Sequence, residues 1–382
     1  MKKYCVAIAL IFIAISAPVR AQHISGAMQF SNPVLEADSN TFSVAYSTMN
    51  FFRDYEYFKN KIQTGETFFG GWHYPRLVVQ PSKNLKLEGG VLIQQLFGEK
   101  VTQKPELHFS IQYQLKNLRL IFGTLESNLT HGYLEPLMGI DRSIQRPLEE
   151  GFQLKYNSKR IESDLWLDWM VRQTENSDYP EELTGGFTFK WRLTEPGKPW
   201  QVKLPVQLIA PHKGGQLDTN HTTVSTIVNE AIGLSSAWTN PNKKAFSKEF
   251  KAEAYFLGYT HFNANTELPY ENGHGVMVSA MLRSKYDISL QATYWNGTKY
   301  ISGWGAPLYQ SVSHISGVPA NYAERSRQLL MLNLMFDKEI LPHFYIDARL
   351  SPYIDLKQGF LEQSYLIFMS YKNTFRIARI KK

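Results

Sequence analysis

Leu107, Phe109, Ile111, Tyr113 and Leu115 alternate with His108, Ser110, Gln112 and Gln114. After Lys116-Asn117 a second arm sets Leu118, Leu120 and Phe122 on one face and Arg119 and Gly123 on the other. Successive side chains of a strand point to opposite faces, so this stretch predicts a hairpin with one apolar and one polar side. The unit recurs along most of the chain. Thr41 to Phe58 alternates imperfectly, Thr67 to Val79 and Leu85 to Phe97 form a pair around Pro81-Ser82-Lys83-Asn84, and Gly89-Gly90 marks a bulge or a close strand approach. Phe152 to Tyr156 turns at Asn157-Ser158 into Ile161 to Trp169, and Phe187 to Leu193 turns at Glu195-Pro196-Gly197 into Val202 to Leu208. Weaker arms run from Val224 to Trp238 and Phe250 to Thr260. Val276 to Leu282, Ile288 to Tyr294, Leu330 to Phe336, Phe344 to Leu350 and a last arm from Leu361 complete the series.

Short turns at Ser82, Lys116, Ser158, Pro196, Asn240, Lys285 and Glu339 alternate with longer connections. That asymmetry, with about sixteen arms (roughly fourteen to eighteen), predicts an all-β, transmembrane, antiparallel up-and-down β-barrel with short periplasmic turns and long outer loops. An even count places both termini in the periplasm, provided Leu361 to Ile380 is one strand without a turn at Lys372-Asn373. A soluble sandwich also alternates. Here the apolar faces are nearly free of charge, and the arms run to about nine to eleven residues, the length a tilted strand needs to cross a bilayer. Aromatic residues gather at arm ends (Trp72, Tyr74, Trp169, Trp200, Tyr294, Trp295, Tyr353), where interfacial girdles are expected.

Upstream, Met1-Lys2-Lys3, an apolar run to about Ser16 and Val19-Arg20-Ala21 describe a signal peptide over residues 1–21, too short for a spanning helix. Residues 22–40 are expected as a periplasmic segment and 41–382 as the barrel. Cys5 falls inside the leader, so no disulfide is expected in the mature chain. Removing Lys2, Lys3 and Arg20 takes the net charge from +7 to about +4, too mild to argue for nucleic acid. The slightly negative mean hydropathy is compatible with a barrel, because only alternate residues meet lipid.

With leader, alternating arms, loop asymmetry and aromatic ends in place, the chain resembles the porin-like class of Gram-negative outer-membrane β-barrel proteins. The resemblance covers nearly its whole mature length and implies a location in the cell outer membrane. It departs from that class at its end, Arg379-Ile380-Lys381-Lys382, where an aromatic residue is usual.

The polar faces supply His108, Gln112, Arg119, Gln153, Lys155, Glu162, Asp164, Asp168, Lys190, Arg192, Lys203, Gln207, Arg283, Asp347 and Arg349 as candidates to line a lumen, or to fill it with ion pairs. Glu135, Asp141, Arg142 and Arg146 in a long connection are candidates for an inward constriction. Trp304, Tyr309, His314 and Tyr322 give a late loop a character suited to stacking on sugar rings at the surface, or to packing within the loop. Glu162, Asp164 and Asp168 share one strand face, which favours charge pairs over a glycosidase cleft. His212, Asp218 and His221 match no recurring metal spacing. Ser163 is a hydroxyl on an apolar face, and a lipid-cleaving enzyme would require a histidine beside it.

These residues predict a porin-like channel for small polar solutes, without enzymatic activity, cofactor or metal. The alternative is a barrel-anchored surface protein whose loops bind glycan or a protein partner. Expected partners are outer-membrane lipid, small solutes or surface glycan and a further copy of the chain, with no nucleic acid.

Overall fold

The computed structural model describes residues 26–28, 30, 33–100, 103–126, 128–175, 177–215, 224–262, 268–315 and 322–380. The leader expected at 1–21 lies outside them, as do Asp218 and His221. Among the described residues sixteen strands make one closed barrel, each antiparallel to its chain neighbours, with the first strand against the last. They are β1 (Thr41–Glu56), β2 (Thr67–Gln80), β3 (Leu85–Leu96), β4 (Glu106–Leu115), β5 (Leu118–Thr124), β6 (Glu150–Asn157), β7 (Ile161–Val171) and β8 (Glu182–Arg192). The second half comprises β9 (Trp200–Lys213), β10 (Ser225–Thr239), β11 (Ser247–Phe262), β12 (Asn272–Ser284), β13 (Ile288–Thr298), β14 (Ser326–Leu341), β15 (Phe344–Asp355) and β16 (Phe360–Arg379).

The period-two pattern dictates which side chains meet lipid. Leu107, Phe109, Ile111 and Tyr113 are exposed on the outer wall of β4, while His108, Ser110 and Gln112 between them are buried. The same exchange runs around the wall, with Leu332, Leu334, Ile367 and Met369 outside and Met331, Met335, Leu366 and Phe368 inside. β16 is continuous through Lys372 and Asn373, which pair with Ser47 and Tyr46 of β1. Ile380 N–H then donates to Asn40 O at 2.8 Å, so the departure from an aromatic C-terminus leaves the seam intact.

Three expectations are corrected. Trp72, Tyr74, Trp295 and Tyr353 do not belong to a girdle: their strand parity turns them into the barrel, where all four are buried. Trp169 and Tyr294 do face outward. The turn expected at Glu339 falls beyond Leu341, because β14 runs further and pairs Leu341 with Phe344. The last outer connection is also short, only Leu356 to Gly359. At Gly90 the close strand approach is real, since a Cβ there would collide with the Pro75 carbonyl and the Arg76 side chain.

A barrel of this strand number leaves room that its own wall cannot fill. Two outer connections fill much of it. Residues 125–149 fold inward and carry a short helix α1 (Arg142–Gln145), and residues 299–315 fold in beside them. The two are bonded together: Gly139 N–H donates to Trp304 O at 2.8 Å, Ala306 N–H to Glu135 O at 2.9 Å and the Tyr300 hydroxyl to Pro136 O at 3.0 Å. Leu137, Ile144, Tyr300 and Ile301 are almost wholly buried there. Each such aliphatic side chain contributes about 1.5–3 kcal/mol to holding the loops inside. Near the other mouth Ala27 and Met28 are buried, and Lys372 Nζ donates to the Gly26 carbonyl.

Candidate functional site

Alternation turns all of the polar-face residues inward, and most enter ion pairs or hydrogen bonds. Arg119 meets Glu126 at 2.6 Å, Lys155 meets both Glu126 and Asp164, and Lys190 and Arg192 reach Glu162 at 3.2 and 2.7 Å. Arg349 pairs with Asp347 at 3.0 Å, Arg283 reaches Asp287 at 3.4 Å, and Tyr74 bonds His108. Gln153 Nε2 donates to Asp164 at 2.9 Å and Gln207 Nε2 to Gly132 O at 3.1 Å. Gln112 lies buried near Lys86, and Lys203 faces the interior with no direct ion pair among the described residues.

The inward loop supplies the centre of this network. His131 donates from Nε2 to Glu149 at 2.8 Å, meets Asp164 through Nδ1 at 3.0 Å and stacks on Trp166 with centroids 4.4 Å apart. Burial disfavours its charged form, but the two carboxylates outweigh that and raise its pKa to about 9. Arg142 reaches Glu149 at 3.4 Å and Asp168 at 3.2 Å, and its guanidinium lies 3.9 Å over the Trp304 ring. Arg146 also pairs with Asp168, at 2.9 Å. Asp141 pairs with Arg53 at 3.2 Å, and Glu135 accepts from the Tyr309 hydroxyl at 2.9 Å. Thus the four constriction-loop candidates lie inside the barrel, tied to its wall and to the second loop.

The aromatic surface loop is corrected. Tyr309 is buried, and its carbonyl accepts from Trp295 Nε1 at 3.1 Å. Trp304 donates to Thr184 at 2.8 Å within the barrel. Apolar area is better satisfied inside an incompletely filled lumen than in water. His314 is exposed and Tyr322 lies at the rim under Lys61, so these four residues form no shared platform.

A different constellation appears at the outer ends of β9 to β11. Ser225 and Thr226 open β10 and point to opposite sides of the wall. Thr226 Oγ1 lies 2.8 Å from His212 Nδ1, and His212 Nε2 lies 3.1 Å from Gly214 O. A carbonyl only accepts, so Nε2–H donates to Gly214 O, and in the neutral tautomer that this selects Nδ1 is the acceptor for the Thr226 hydroxyl. Thr226 and His212 share their parity with Leu208, Ile232 and Leu234, which are exposed on the lipid-facing wall. Phe262, opposite Thr226 in register, is exposed as well. Ser225 Oγ makes the matching bond inward, 2.9 Å from His261 Nε2. On the same outer face of β10, Glu230 lies over Gly258, where a Cβ would meet its carboxylate. An ionisable side chain on a lipid-facing wall is costly and marks function by default. Ser163 also faces outward, but near the short-turn end and across from Tyr156 and Phe189 rather than a histidine. Among the described residues no three His, Cys, Asp or Glu side chains converge to hold a metal ion.

A closed sixteen-strand barrel with an apolar outer belt and a polar interior defines a transmembrane, porin-like protein of the outer membrane. It resembles OmpTdeltaL8, a loop L8 deletion mutant of the Vibrio cholerae outer membrane protein OmpT, with TM-score 0.51 and 10% identity over 87% of this chain and 100% of that one. The Pseudomonas aeruginosa outer membrane protein OprD gives TM-score 0.49 and 8% identity over 92% and 97% of the two chains. Acinetobacter baumannii OccAB3 gives 0.48 and 11% over 87% and 99%. No curated protein matches in sequence.

The chain belongs to the Lipid A 3'-O-deacylase-type family, whose model matches residues 34–380. That membership overturns the expectation of a protein without enzymatic activity. The rim pairs have no signature in local spacing, because the register of β9 against β10 brings His212 to Thr226. The available signal was parity: His212, Thr226 and Glu230 are polar residues at lipid-facing positions.

Proposed function

We propose that this barrel hydrolyses an acyl ester of lipid A in the outer leaflet, with Thr226 as nucleophile and His212 as its base. The observation that carries the reading is the Thr226–His212 hydrogen bond on the lipid-facing wall at the outer rim, in a chain whose family is named for that reaction. A hydroxyl is a weak nucleophile until a base within hydrogen-bond reach takes its proton. The Gly214 carbonyl holds the imidazole in the accepting tautomer, as the third member of a triad does. Thr226 Oγ attacks the ester carbonyl carbon and its proton passes to Nδ1. That proton then goes to the sugar oxygen as the C–O bond breaks, and water, deprotonated by the same imidazole, releases the fatty acid and restores Thr226. Export by the leader at 1–21 is part of the same proposal, since the substrate lies beyond the inner membrane.

The test is expression of the full chain in a Gram-negative host, followed by mass spectrometry of extracted lipid A. Wild type removes one acyl chain, T226A and H212A do not, and S225A and H261A do. Loss of activity in S225A with retention in T226A would move the chemistry to the inward pair. Activity surviving in all four variants would remove the rim from consideration. Passage of small solutes is a second reading supported by the open cavity at the periplasmic mouth, and the two inward loops oppose it.

A further inference from the structure

Between the short turns that join β4 to β5, β6 to β7, β8 to β9 and β10 to β11, the periplasmic mouth opens into a cavity of about 2050 Å³. Eleven Lys and Arg side chains line it against two carboxylates, Glu126 and Glu162. Both carboxylates are already engaged, Glu126 by Arg119 and Lys155, and Glu162 by Lys190 and Arg192. Arg160 and Lys248 lean on Glu195 and Asp287 outside the cavity. Glu126 and Thr130 of the inward loop lie at its deep end, which makes it a recess rather than a passage.

Among the described buried bases of the recess, Lys203 is the one left without a direct ion pair. It is only 8% exposed, faces the recess and, among the described residues, forms no ion pair. Its register partner on β8 is Arg192, a like charge directly opposite. Like charges in cross-strand register destabilise a sheet, and a buried ammonium that must share the Glu162 carboxylate with Lys190 and Arg192, without touching it, adds to that cost. An anion seated between them removes both penalties. Guanidinium and ammonium groups converging on one point form charge-assisted bonds to phosphate-type oxygens.

We infer that this recess binds a soluble, multiply charged phosphate-type oxyanion entering from the periplasm, held by Lys203, Arg192 and Lys190. The site faces away from the outer leaflet and is separate from the rim pair.

Calorimetric titration of inorganic tripolyphosphate into the full chain in phosphatidylcholine nanodiscs tests it. Wild type binds, and affinity falls as salt rises. K203M weakens binding by about tenfold or more, the loss of one charge-assisted contact. E162Q, which removes the competing carboxylate, tightens it, a gain that misfolding cannot produce. K243M, at the mouth, changes it by less than about twofold, as expected of a screened contact. Absence of binding by wild type, or unchanged affinity in both K203M and E162Q, overturns the inference. So does loss of tripolyphosphate binding in phosphatidylglycerol nanodiscs, which would give the recess to lipid headgroups.

Discussion

His131 and Glu149 meet at 2.8 Å in the barrel interior, and neither side chain reaches solvent. With its pKa raised to about 9 against an ordinary 6.5, His131 is charged when folded at neutral pH. The sign follows by linkage: the stabilisation is complete below about pH 6.5 and is lost as pH rises through about 9. Unfolding in detergent, followed by heat-modifiable gel mobility, is expected at lower temperature at pH 10 than at pH 6.5. H131L should flatten that dependence and cost about 3–5 kcal/mol, because Glu149 and Asp164 lose their shared cation.

Arg142 connects the first inward loop to Glu149, Asp168 and the Trp304 ring of the second. R142M leaves two buried carboxylates short of a partner and is expected to destabilise by about 3–5 kcal/mol. Released loops would leave the lumen, so planar-bilayer recordings should show larger or more frequent conductance steps than wild type. Identical traces would mean that the wall holds the loops without Arg142.

Gly186 makes room for Trp166, because a Cβ there would collide with the indole ring and the Tyr133 hydroxyl. G186V should push the indole away from Tyr133, to which it donates at 3.1 Å, at a cost of about 1–3 kcal/mol. A shift in tryptophan emission together with a lower unfolding temperature checks this.

Glu230 stands on the lipid-facing wall with its carboxylate over Gly258. Replacing it with leucine removes a polar group from that wall, so E230L should raise stability by about 1 kcal/mol. If Glu230 takes part in handling lipid A, the same change lowers the deacylation rate measured by mass spectrometry. A variant both stabler and fully active would make the carboxylate incidental.

Where one face of a strand is apolar and the other polar, the fold was readable. Leu107 to Phe122 states its own pairing, register and orientation, and the even strand number followed from turn spacing. The girdle at Trp72, Tyr74, Trp295 and Tyr353 was misjudged because nearness to an arm end does not say which way a side chain points. Parity says it, and in those arms glycine and aromatic residues on both faces hide the alternation. The destination of the long loops was legible only in part. Glu135, Asp141, Arg142 and Arg146 signalled an inward segment by their charge, whereas Trp304 and Tyr309 carry no mark distinguishing an outer platform from an inner plug. The rim pair was least visible, since His212 and Thr226 come together through the register of β9 and β10 and not through any local spacing.

The seam between β1 and β16 carries a consequence for biogenesis. On the side away from β2, Thr41 finds its partner only at Arg379, so a ribosome must finish nearly the whole polypeptide before the wall can be sealed. Until then the growing sheet has two unpaired margins, ready templates for aggregation in the aqueous space it crosses. Shielding of the nascent ribbon is therefore expected to matter up to the moment its tail arrives.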